Sequence, residues 1–164
     1  AQVVKDLGAG YVLIGHSERR SLFAETDALL AHKVKTVQAL GLTAMLCIGE
    51  SLEQRKNNET LKVLTTQLKA DLCEADPQKK LVVAYEPIWA IGTGQVATLE
   101  QVAEAHQQIH AVLKEMGFNQ VAVLYGGSVK ADNAKALAAV VGVDGFLVGG
   151  ASLEPATFWK ICQS

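Results

Sequence analysis

The sequence predicts a parallel α/β fold in which short buried strands alternate with amphipathic helices. Five short apolar runs lack the polar alternation of a half-exposed sheet, which is typical of strands buried on both faces. Helical patterns with one apolar face lie between these runs. Because strand and helix alternate along the chain, a parallel sheet covered by helices is expected. The predicted strands span residues 11–15, 42–48, 81–85, 121–125 and 145–148.

The predicted helices are marked by apolar stripes and by residues typical of helix ends. A helix is expected over residues 1–7, and three longer helices follow the first three strands. Their stripes are Leu30, Val34 and Val37, then Leu61, Leu64, Leu68 and Leu72, then Leu99, Val102, Ile109, Leu113 and Met116. The boundary signals are two capping boxes (Ser51 with Gln54, Thr98 with Gln101) and the helix-ending residues Gly41, Gly117 and Pro77.

Two architectures fit this alternation, an open doubly wound sheet and a closed eight-stranded barrel. Five units in 164 residues favour the open sheet on length, since a closed barrel usually needs about 250 residues. However, no G-x-G-x-x-G turn follows the first strand. Glycine-rich and polar residues instead follow nearly every strand, as the C-terminal face of a barrel requires. We therefore expect residues 1–164 to form a single partial barrel domain without an internal linker.

Net charge, apolar runs and cysteine content indicate which partners and which compartment to expect. The net charge of −2 gives no reason to expect nucleic acid or an anionic membrane as a partner. No apolar run approaches the roughly 20 residues needed to span a bilayer, and the first residues lack the features of a signal peptide. Three widely spaced cysteines argue against a disulfide framework. A cytoplasmic globular protein is expected.

Glu86 directly follows the apolar run 81–85, so its carboxylate is expected at the edge of a low-dielectric interior. Burial there would raise its pKa toward the range useful to a general base. The alternative is a strand-end glutamate paired with an arginine or lysine. Residues 87–97 contain Trp, two Ile and two Gly. This composition favours a lid that closes and excludes water over a buried connection.

Two glycine pairs follow the last two predicted strands. Gly126 and Gly127 precede Ser128, and Gly149 and Gly150 precede the last helix. Backbone without side chains lets N–H groups approach an anion, and a helix predicted to begin near residue 129 would add its dipole. Two such pairs at adjacent strand ends predict a phosphate-sized ligand.

His16 follows the first strand and is expected on the same rim as Glu86. A neutral imidazole there could donate a hydrogen bond to a carbonyl or enediolate oxygen. His32 is interpreted as a solvated helix residue. His106 and His110 lie one helical turn apart, but no third zinc ligand is in view, so no metal site is predicted.

Four stretches resemble the triosephosphate isomerase family, in that family's order and spacing. They are residues 15–20 (GHSERR), 84–94 (AYEPIWAIGTG), 125–129 (YGGSV) and 147–153 (LVGGASL). The resemblance implies a (β/α)8 TIM barrel, represented here by about five C-terminal strand–helix units. This family is itself a standard example of acid/base tuning and lid closure.

The resemblance also implies an activity: interconversion of D-glyceraldehyde 3-phosphate and dihydroxyacetone phosphate through an enediolate, a step of glycolysis and gluconeogenesis. Glu86 would be the base and His16 the electrophile that stabilises the enediolate, with Glu18 as a helper behind them. No metal and no organic cofactor are implied, and the family forms homodimers. The substrate phosphate would be held by backbone around Gly92, Ser128, Gly149 and Gly150.

The family's first three strand–helix units have no counterpart here. In the family they carry an asparagine and a lysine at the end of the first strand, and no residue of this chain matches that lysine. We expect a partial sequence of an ordinary enzyme. The alternative is a non-catalytic fragment or half-barrel that needs an N-terminal partner. Another phosphate-binding barrel enzyme would need a different polar set in place of His16 and Glu86.

Overall fold

The computed structural model describes residues 1–164, which form five strands and eight α-helices. The strands are β1 Tyr11–Ile14, β2 Thr43–Ile48, β3 Leu81–Tyr85, β4 Ala122–Tyr125 and β5 Gly145–Phe146. The helices are α1 Gln2–Asp6, α2 Ser17–Leu22, α3 Asp27–Ala39, α4 Leu52–Lys56, α5 Thr60–Asp71, α6 Leu99–Glu115, α7 Ala134–Ala138 and α8 Pro155–Cys162. Two short 3-10 helices, Ile88–Ala90 and Gly150–Leu153, follow β3 and β5.

The strands pair in chain order, from β1 to β5, and every pair is parallel. A doubly wound sheet reverses its strand order at a switch point, and this sheet does not. Right-handed crossovers between sequential parallel strands place the connecting helices on one face. In agreement, α3 packs against α5 and α5 packs against α6. The topology is that of part of a barrel, which excludes the open doubly wound alternative.

The core lies between the middle strands and this helical layer. In the register, Leu46 of β2 pairs with Val83 of β3, and Val83 pairs with Val123 of β4. All three side chains are fully buried and belong to a cluster of 27 buried apolar residues. β1 and β5 lie at the two edges of the sheet and are only partly buried. None of the helices is long and apolar enough to cross a membrane.

Most predicted boundaries agree with the structure. Both capping boxes form with their two hydrogen bonds, at Ser51 and at Thr98. Gly41 and Gly117 follow the ends of α3 and α6 with φ of 77° and 87°, a left-handed conformation that glycine adopts without strain.

Three expectations at element ends are wrong. Pro77 does not end α5, because the helix ends at Asp71, with Leu72 as its C-cap, five residues before the proline. Leu99 is exposed rather than part of the apolar stripe, because α6 begins at this residue, before the helix packs on the sheet. β5 ends at Phe146, two residues earlier than expected.

Candidate active site

The predicted site residues lie at the carboxyl ends of the strands, on one edge of the sheet. Glu86 directly follows β3, and His16 follows β1 after a single glycine. Gly126 follows β4, where its N–H bonds the Tyr85 carbonyl oxygen at 2.8 Å. In a parallel barrel, all of these strand ends open onto the same rim. Residues more than a hundred positions apart in sequence therefore meet around one cavity.

Glu86 is a buried carboxyl group held by two neighbours. Its side chain is 3% exposed. One carboxylate oxygen, Oε2, accepts a hydrogen bond from the Ser17 N–H at 3.2 Å. The other, Oε1, lies 3.4 Å from Nε2 of His16. Burial raises the pKa of Glu86 above its ordinary value, and His16 and the Ser17 N–H offset part of that rise.

The His16 ring is oriented by the helix that it begins. His16 is the N-cap of α2, and its Nδ1 accepts a hydrogen bond from the Glu18 N–H at 3.4 Å. Because Nδ1 acts as an acceptor, the hydrogen-bond network assigns the proton of a neutral ring to Nε2. Nε2 is the atom that faces Glu86. The ring can therefore donate a hydrogen bond on the side where Glu86 could reach a substrate.

A cavity of about 530 Å³ opens beside these two residues. It is lined by His16 and Glu18 and by the glycine-rich loops after β4 and β5. Glu86 is not among its lining residues. Of the predicted site residues, those on the cavity wall are His16, Glu18, Gly92, Ser128, Gly149 and Gly150.

Backbone N–H groups on this wall are free to bind an anion. The N–H groups of Gly92, Ser128 and Gly149 donate no hydrogen bond to another residue of the chain. The loop after β4 is held by Asn133, whose Nδ2 donates to the Ser128 carbonyl at 3.1 Å and whose Oδ1 accepts from the Lys130 N–H at 2.7 Å. This arrangement suits a phosphate.

The helix expected to begin near residue 129 does not form there. Residues 131–133 form turns, and the first α-helical residue of α7 is Ala134. Helix-dipole support for an anion at Ser128 is therefore absent. After β5, a 3-10 helix begins at Gly150. The anion site consists of loop amides rather than the ends of long helices.

The predicted lid, residues 87–97, is anchored at its start and exposed at its tip. Trp89 lies in the 3-10 helix, and its Nε1–H donates to Oε1 of Glu50 at 2.9 Å. Tyr85 Oη donates to the same oxygen at 3.1 Å. Gly92 and Gly94 have φ of 67° and 78°, which only glycine adopts freely. Residues 92–96 are exposed.

Glu50 is a functional candidate that sequence reasoning missed. It is fully buried, and burial raises the pKa of its carboxyl. Its position two residues after β2 matches that of the predicted site residues at other strand ends, and this signal could have identified it.

The remaining histidines, and Cys73 and Cys162, stay apart from this site, whereas the Cys47 side chain contacts the Glu86 carboxylate. His106 Nδ1 and His110 Nε2 both contact the Gly142 carbonyl oxygen, at 2.8 Å and 2.9 Å. Residues 1–164 contain no group of three or more His, Cys, Asp or Glu side chains placed to hold a metal ion. Cys73 and Cys162 are exposed and free, and Cys47 is buried.

Sequence comparison decides which family this rim belongs to. The sequence model of the family described as Triosephosphate isomerase matches residues 1–164, the whole chain. The chain belongs to the triosephosphate isomerase family. The resemblance carried by the four motifs is thereby confirmed.

Individual relatives of the triosephosphate isomerase family agree. A triosephosphate isomerase of Bdellovibrio bacteriovorus is 62% identical over 163 residues, covering 99% of this chain and 68% of that protein. One of Marinobacter nauticus is 50% identical and covers 100% of this chain and 67% of its own length. The crystal structure of triosephosphate isomerase from Bartonella henselae superposes with a TM-score of 0.88 at 42% identity, over 98% of this chain and 66% of that one.

These comparisons fix two structural points. The high TM-score confirms the partial TIM barrel predicted from the sequence. The chain spans about two thirds of the length of the relatives it matches. Five strands are accordingly present of the eight in a (β/α)8 barrel.

Proposed function

We propose that this chain forms the larger part of a triosephosphate isomerase, with its catalytic residues on the rim described above. The observation that carries the proposal is a buried glutamate with a raised pKa that faces Nε2 of a histidine beside an amide-lined cavity. The reaction is the interconversion of D-glyceraldehyde 3-phosphate and dihydroxyacetone phosphate through an enediolate. This activity follows from membership of the family.

Glu86 acts as the base. Its carboxylate takes the proton from the carbon next to the carbonyl group of the substrate, and the C–H electron pair forms the carbon–carbon double bond of the enediolate. The same carboxyl returns the proton to the neighbouring carbon, and the hydroxyl proton passes from one oxygen of the enediolate to the other, which gives the other isomer. Burial raises the pKa of Glu86 and so moves the carboxyl toward the range that suits a general base for both transfers.

His16 stabilises the enediolate. Its Nε2–H donates a hydrogen bond to the oxygen on which negative charge develops, and that bond strengthens as the charge grows. Glu18 contributes through its backbone N–H, which holds Nδ1 of the ring. No proton needs to leave the imidazole for this role.

The phosphate of the substrate binds at the free amides. Backbone at Gly92, Ser128, Gly149 and Gly150 lines the cavity on the side of the last two strand ends. Gly92 belongs to the lid, so closure brings this group onto the phosphate. A closed apolar lid excludes water from the enediolate and suppresses loss of phosphate.

Glu86 must move before it can act. In this structure the residue is 2% exposed, and its carboxylate is bonded to the Ser17 N–H and absent from the cavity wall. Glu86 and Trp89 lie in one short segment: Glu86 directly follows β3, and the buried Pro87 joins it to the 3-10 helix that contains Trp89. Lid closure and movement of the carboxylate into the cavity are therefore expected to occur together.

We further propose that residues 1–164 act as a single partial barrel domain of a cytoplasmic homodimer, with a small triose phosphate as the substrate and no nucleic acid or membrane partner. Leu22 and Phe23, at the end of α2, are both exposed apolar side chains near the rim. Their exposure supports contact with a second subunit. Light scattering tests the dimer by measuring the molar mass of a fusion of residues 1–164 with the first three strand–helix units of a relative.

A fusion protein tests the activity. Residues 1–164 are joined behind the part of the Bdellovibrio bacteriovorus relative that they do not match, which by family resemblance carries the first three strand–helix units. We call this fusion the completed enzyme. It should isomerise glyceraldehyde 3-phosphate, whereas the 164-residue chain alone should not. Activity of the chain alone would support a self-sufficient enzyme and contradict the need for completion.

Glu86→Gln in the completed enzyme separates the proposed base from its surroundings. The amide keeps the size of the side chain but cannot accept the substrate proton, so kcat should fall by about 10²- to 10⁴-fold. Glu53→Gln, on the exposed face of α4, is the matched control and should leave kcat unchanged. Retention of more than a tenth of kcat by Glu86→Gln would reject Glu86 as the base.

A further inference from the structure

The backbone beneath Glu86 is supported by the last residue of β2 and the two residues that follow it. The Glu86 N–H donates to the Ile48 carbonyl at 2.7 Å, and the Ile88 N–H donates to the Glu50 carbonyl at 3.1 Å. We call residues 48–50 the cradle. The cradle therefore fixes the chain on both sides of Pro87, at the start of the lid.

Gly49 is in direct contact with the Glu86 backbone. A Cβ atom added to Gly49 would lie 1.7 Å from the Glu86 carbonyl oxygen and 2.6 Å from its carbonyl carbon. Real Cβ atoms do not approach backbone that closely, so only glycine fits at this position. If the Gly49 backbone shifts toward Glu86, it must push the Glu86 backbone away. If it shifts in the other direction, it leaves a gap beneath Glu86.

The N–H and the carbonyl of Gly49 are both held by the side chain of Gln67. The Gly49 N–H donates to Oε1 of Gln67 at 2.9 Å, and Nε2 of Gln67 donates to the Gly49 carbonyl at 3.1 Å. The side-chain amide thus pairs with Gly49 as a neighbouring strand would. Gln67 lies in α5 near Leu64 and Leu68, both fully buried, so its backbone is part of a packed helix.

We propose that Gln67 is a positioning residue for the catalytic base: it holds the backbone of Gly49 in place, and through that backbone it fixes the position of Glu86. This inference rests on the proposed function, because it assigns a role in the chemistry of Glu86. Gln67 is not among the residues that line the cavity and touches no residue proposed to bind phosphate. Its loss should therefore impair proton transfer and leave substrate binding largely intact.

Proton transfer is sensitive to such a shift. A misplacement of about 1 Å at a reacting group can lower the rate about 10²-fold. Loss of both hydrogen bonds leaves the N–H and the carbonyl of Gly49 unpaired, and the two peptide groups on either side of its Cα can then rotate toward water or another partner. The Glu86 carboxylate would then enter the cavity displaced from the position that proton transfer requires.

The chain contains a matched control at the opposite end of the sheet. Gln38 of α3 pairs in the same way with Asp76, just before β3: the Asp76 N–H donates to Oε1 at 3.0 Å and Nε2 donates to the Asp76 carbonyl at 3.3 Å. Gln38 is 3% exposed, so its removal should cost at least as much stability as removal of Gln67. Asp76 touches neither Glu86 nor the cavity.

The experiment compares Gln67→Leu and Gln38→Leu in the completed enzyme. Both variants should unfold at a lower temperature than the unmodified protein. Gln67→Leu should lower kcat at least tenfold with KM within twofold, whereas Gln38→Leu should keep kcat within twofold. The inference is overturned if Gln67→Leu keeps kcat within twofold, or if Gln38→Leu loses as much kcat. Should Gln67→Leu fail to fold, Gln67→Glu, which keeps the acceptor for the Gly49 N–H, decides by the same criteria.

A second measurement does not depend on turnover. The carboxyl carbon of Glu86, labelled with ¹³C, is titrated by NMR in the unmodified protein, in Gln67→Leu and in Gln38→Leu. The titration midpoint should move in Gln67→Leu and stay in place in Gln38→Leu, and an unchanged midpoint in Gln67→Leu overturns the inference. If the unmodified completed enzyme lacks isomerase activity, the proposed function fails, and this titration still decides whether Gln67 positions Glu86.

Discussion

A carboxyl group can act as a base near neutral pH when its surroundings disfavour its charged form, and Glu86 meets this condition. Burial raises its pKa, while His16 and the Ser17 N–H favour the charged form and limit the rise. The same two neighbours hold the side chain away from the cavity. The resting position of Glu86 thus keeps its carboxylate poised, and substrate binding must replace these contacts.

The pH dependence of catalysis follows from the raised pKa of Glu86. Below that pKa the carboxyl is protonated and cannot accept the substrate proton, so the rate falls as the pH falls. Because the pKa lies above the ordinary value of 4.5, the acid limb of kcat/KM should have its midpoint above pH 4.5. The measurement is kcat/KM of the completed enzyme against pH, which reports groups of the free enzyme. A midpoint at or below 4.5 would contradict the burial argument.

His16→Gln tests the electrophile. A glutamine amide carries donors but cannot place one where Nε2–H lies, so stabilisation of the enediolate should weaken. We expect kcat to fall by about 10²- to 10³-fold with a much smaller change in KM, since the hydrogen bond is strongest when charge has developed. His32, exposed on α3, provides the control: His32→Gln should match the unmodified completed enzyme. Equal losses in both variants would remove the special role of His16.

At the scale of elements, a single arginine joins the ends of β1 and β2 to two helices. Arg20 Nε donates to the Gly15 carbonyl at 2.8 Å, and Nη2 donates to the Cys47 carbonyl at 2.9 Å. Its guanidinium also pairs with Asp27 of α3 at 3.0 Å and with Asp71 of α5 at 2.5 Å. These bonds lie directly beneath the rim, so Arg20 fixes the spacing of the strand ends that carry the site.

Arg20→Lys should therefore destabilise the fold despite keeping the charge. A lysine ammonium cannot span four acceptors in the plane that guanidinium provides, and Asp71, which is fully buried, would lose its partner. Breaking a buried ion pair costs about 3 kcal/mol. Urea denaturation should therefore show that Arg20→Lys lowers the free energy of unfolding by about this amount. Arg55→Lys is the control, since Arg55 pairs at 3.7 Å with Glu104, whose side chain is mostly exposed, and such pairs contribute about 0–1 kcal/mol. Similar costs for both variants would argue against this role for Arg20.

Local patterns predicted the elements better than the contacts between them. The capping boxes at Ser51 and Thr98 were predictable because both partners lie within four residues of each other. Glu86 was predictable because a charged residue directly after an apolar strand is unusual. The Gln67–Gly49 pairing was not predicted, because the two residues become neighbours only after α5 packs on the sheet. The buried state of Glu50 was not predicted either, because its partners Tyr85 and Trp89 become neighbours only when β3 pairs with β2.

The same distinction explains the errors. A glycine pair followed by a valine suggested a helix start near residue 129, but residues 131–133 form turns and α7 begins at Ala134. A proline suggested the end of α5, but the helix had already closed at Leu72. In both cases the glycine or proline marked the neighbourhood of a helix end and not the residue at which the helix begins or ends.

At the scale of the whole molecule, the sheet ends in two unpaired parallel edges. β1 has β2 as its only neighbour and β5 has β4 as its only neighbour. Apolar side chains lie exposed near both edges: Tyr11 of β1 is 62% exposed, and Leu153, beyond β5, is 83% exposed. In a closed barrel these edges would be joined by further strands, which would also cover the apolar groups beside them.

The isolated 164-residue chain should consequently associate with itself, and the completed enzyme should not do so beyond its defined oligomer. Unpaired strand edges template pairing with other chains, and a net charge of only −2 provides little repulsion against it. Sedimentation velocity across a concentration series should show species that grow with concentration for the isolated chain and one constant species for the completed enzyme. A fluorescent dye that binds exposed apolar surface should respond to the isolated chain only. A concentration-independent monomer that binds no dye would show that five strands can protect their own edges, and the requirement for further strand–helix units would then rest on catalysis alone.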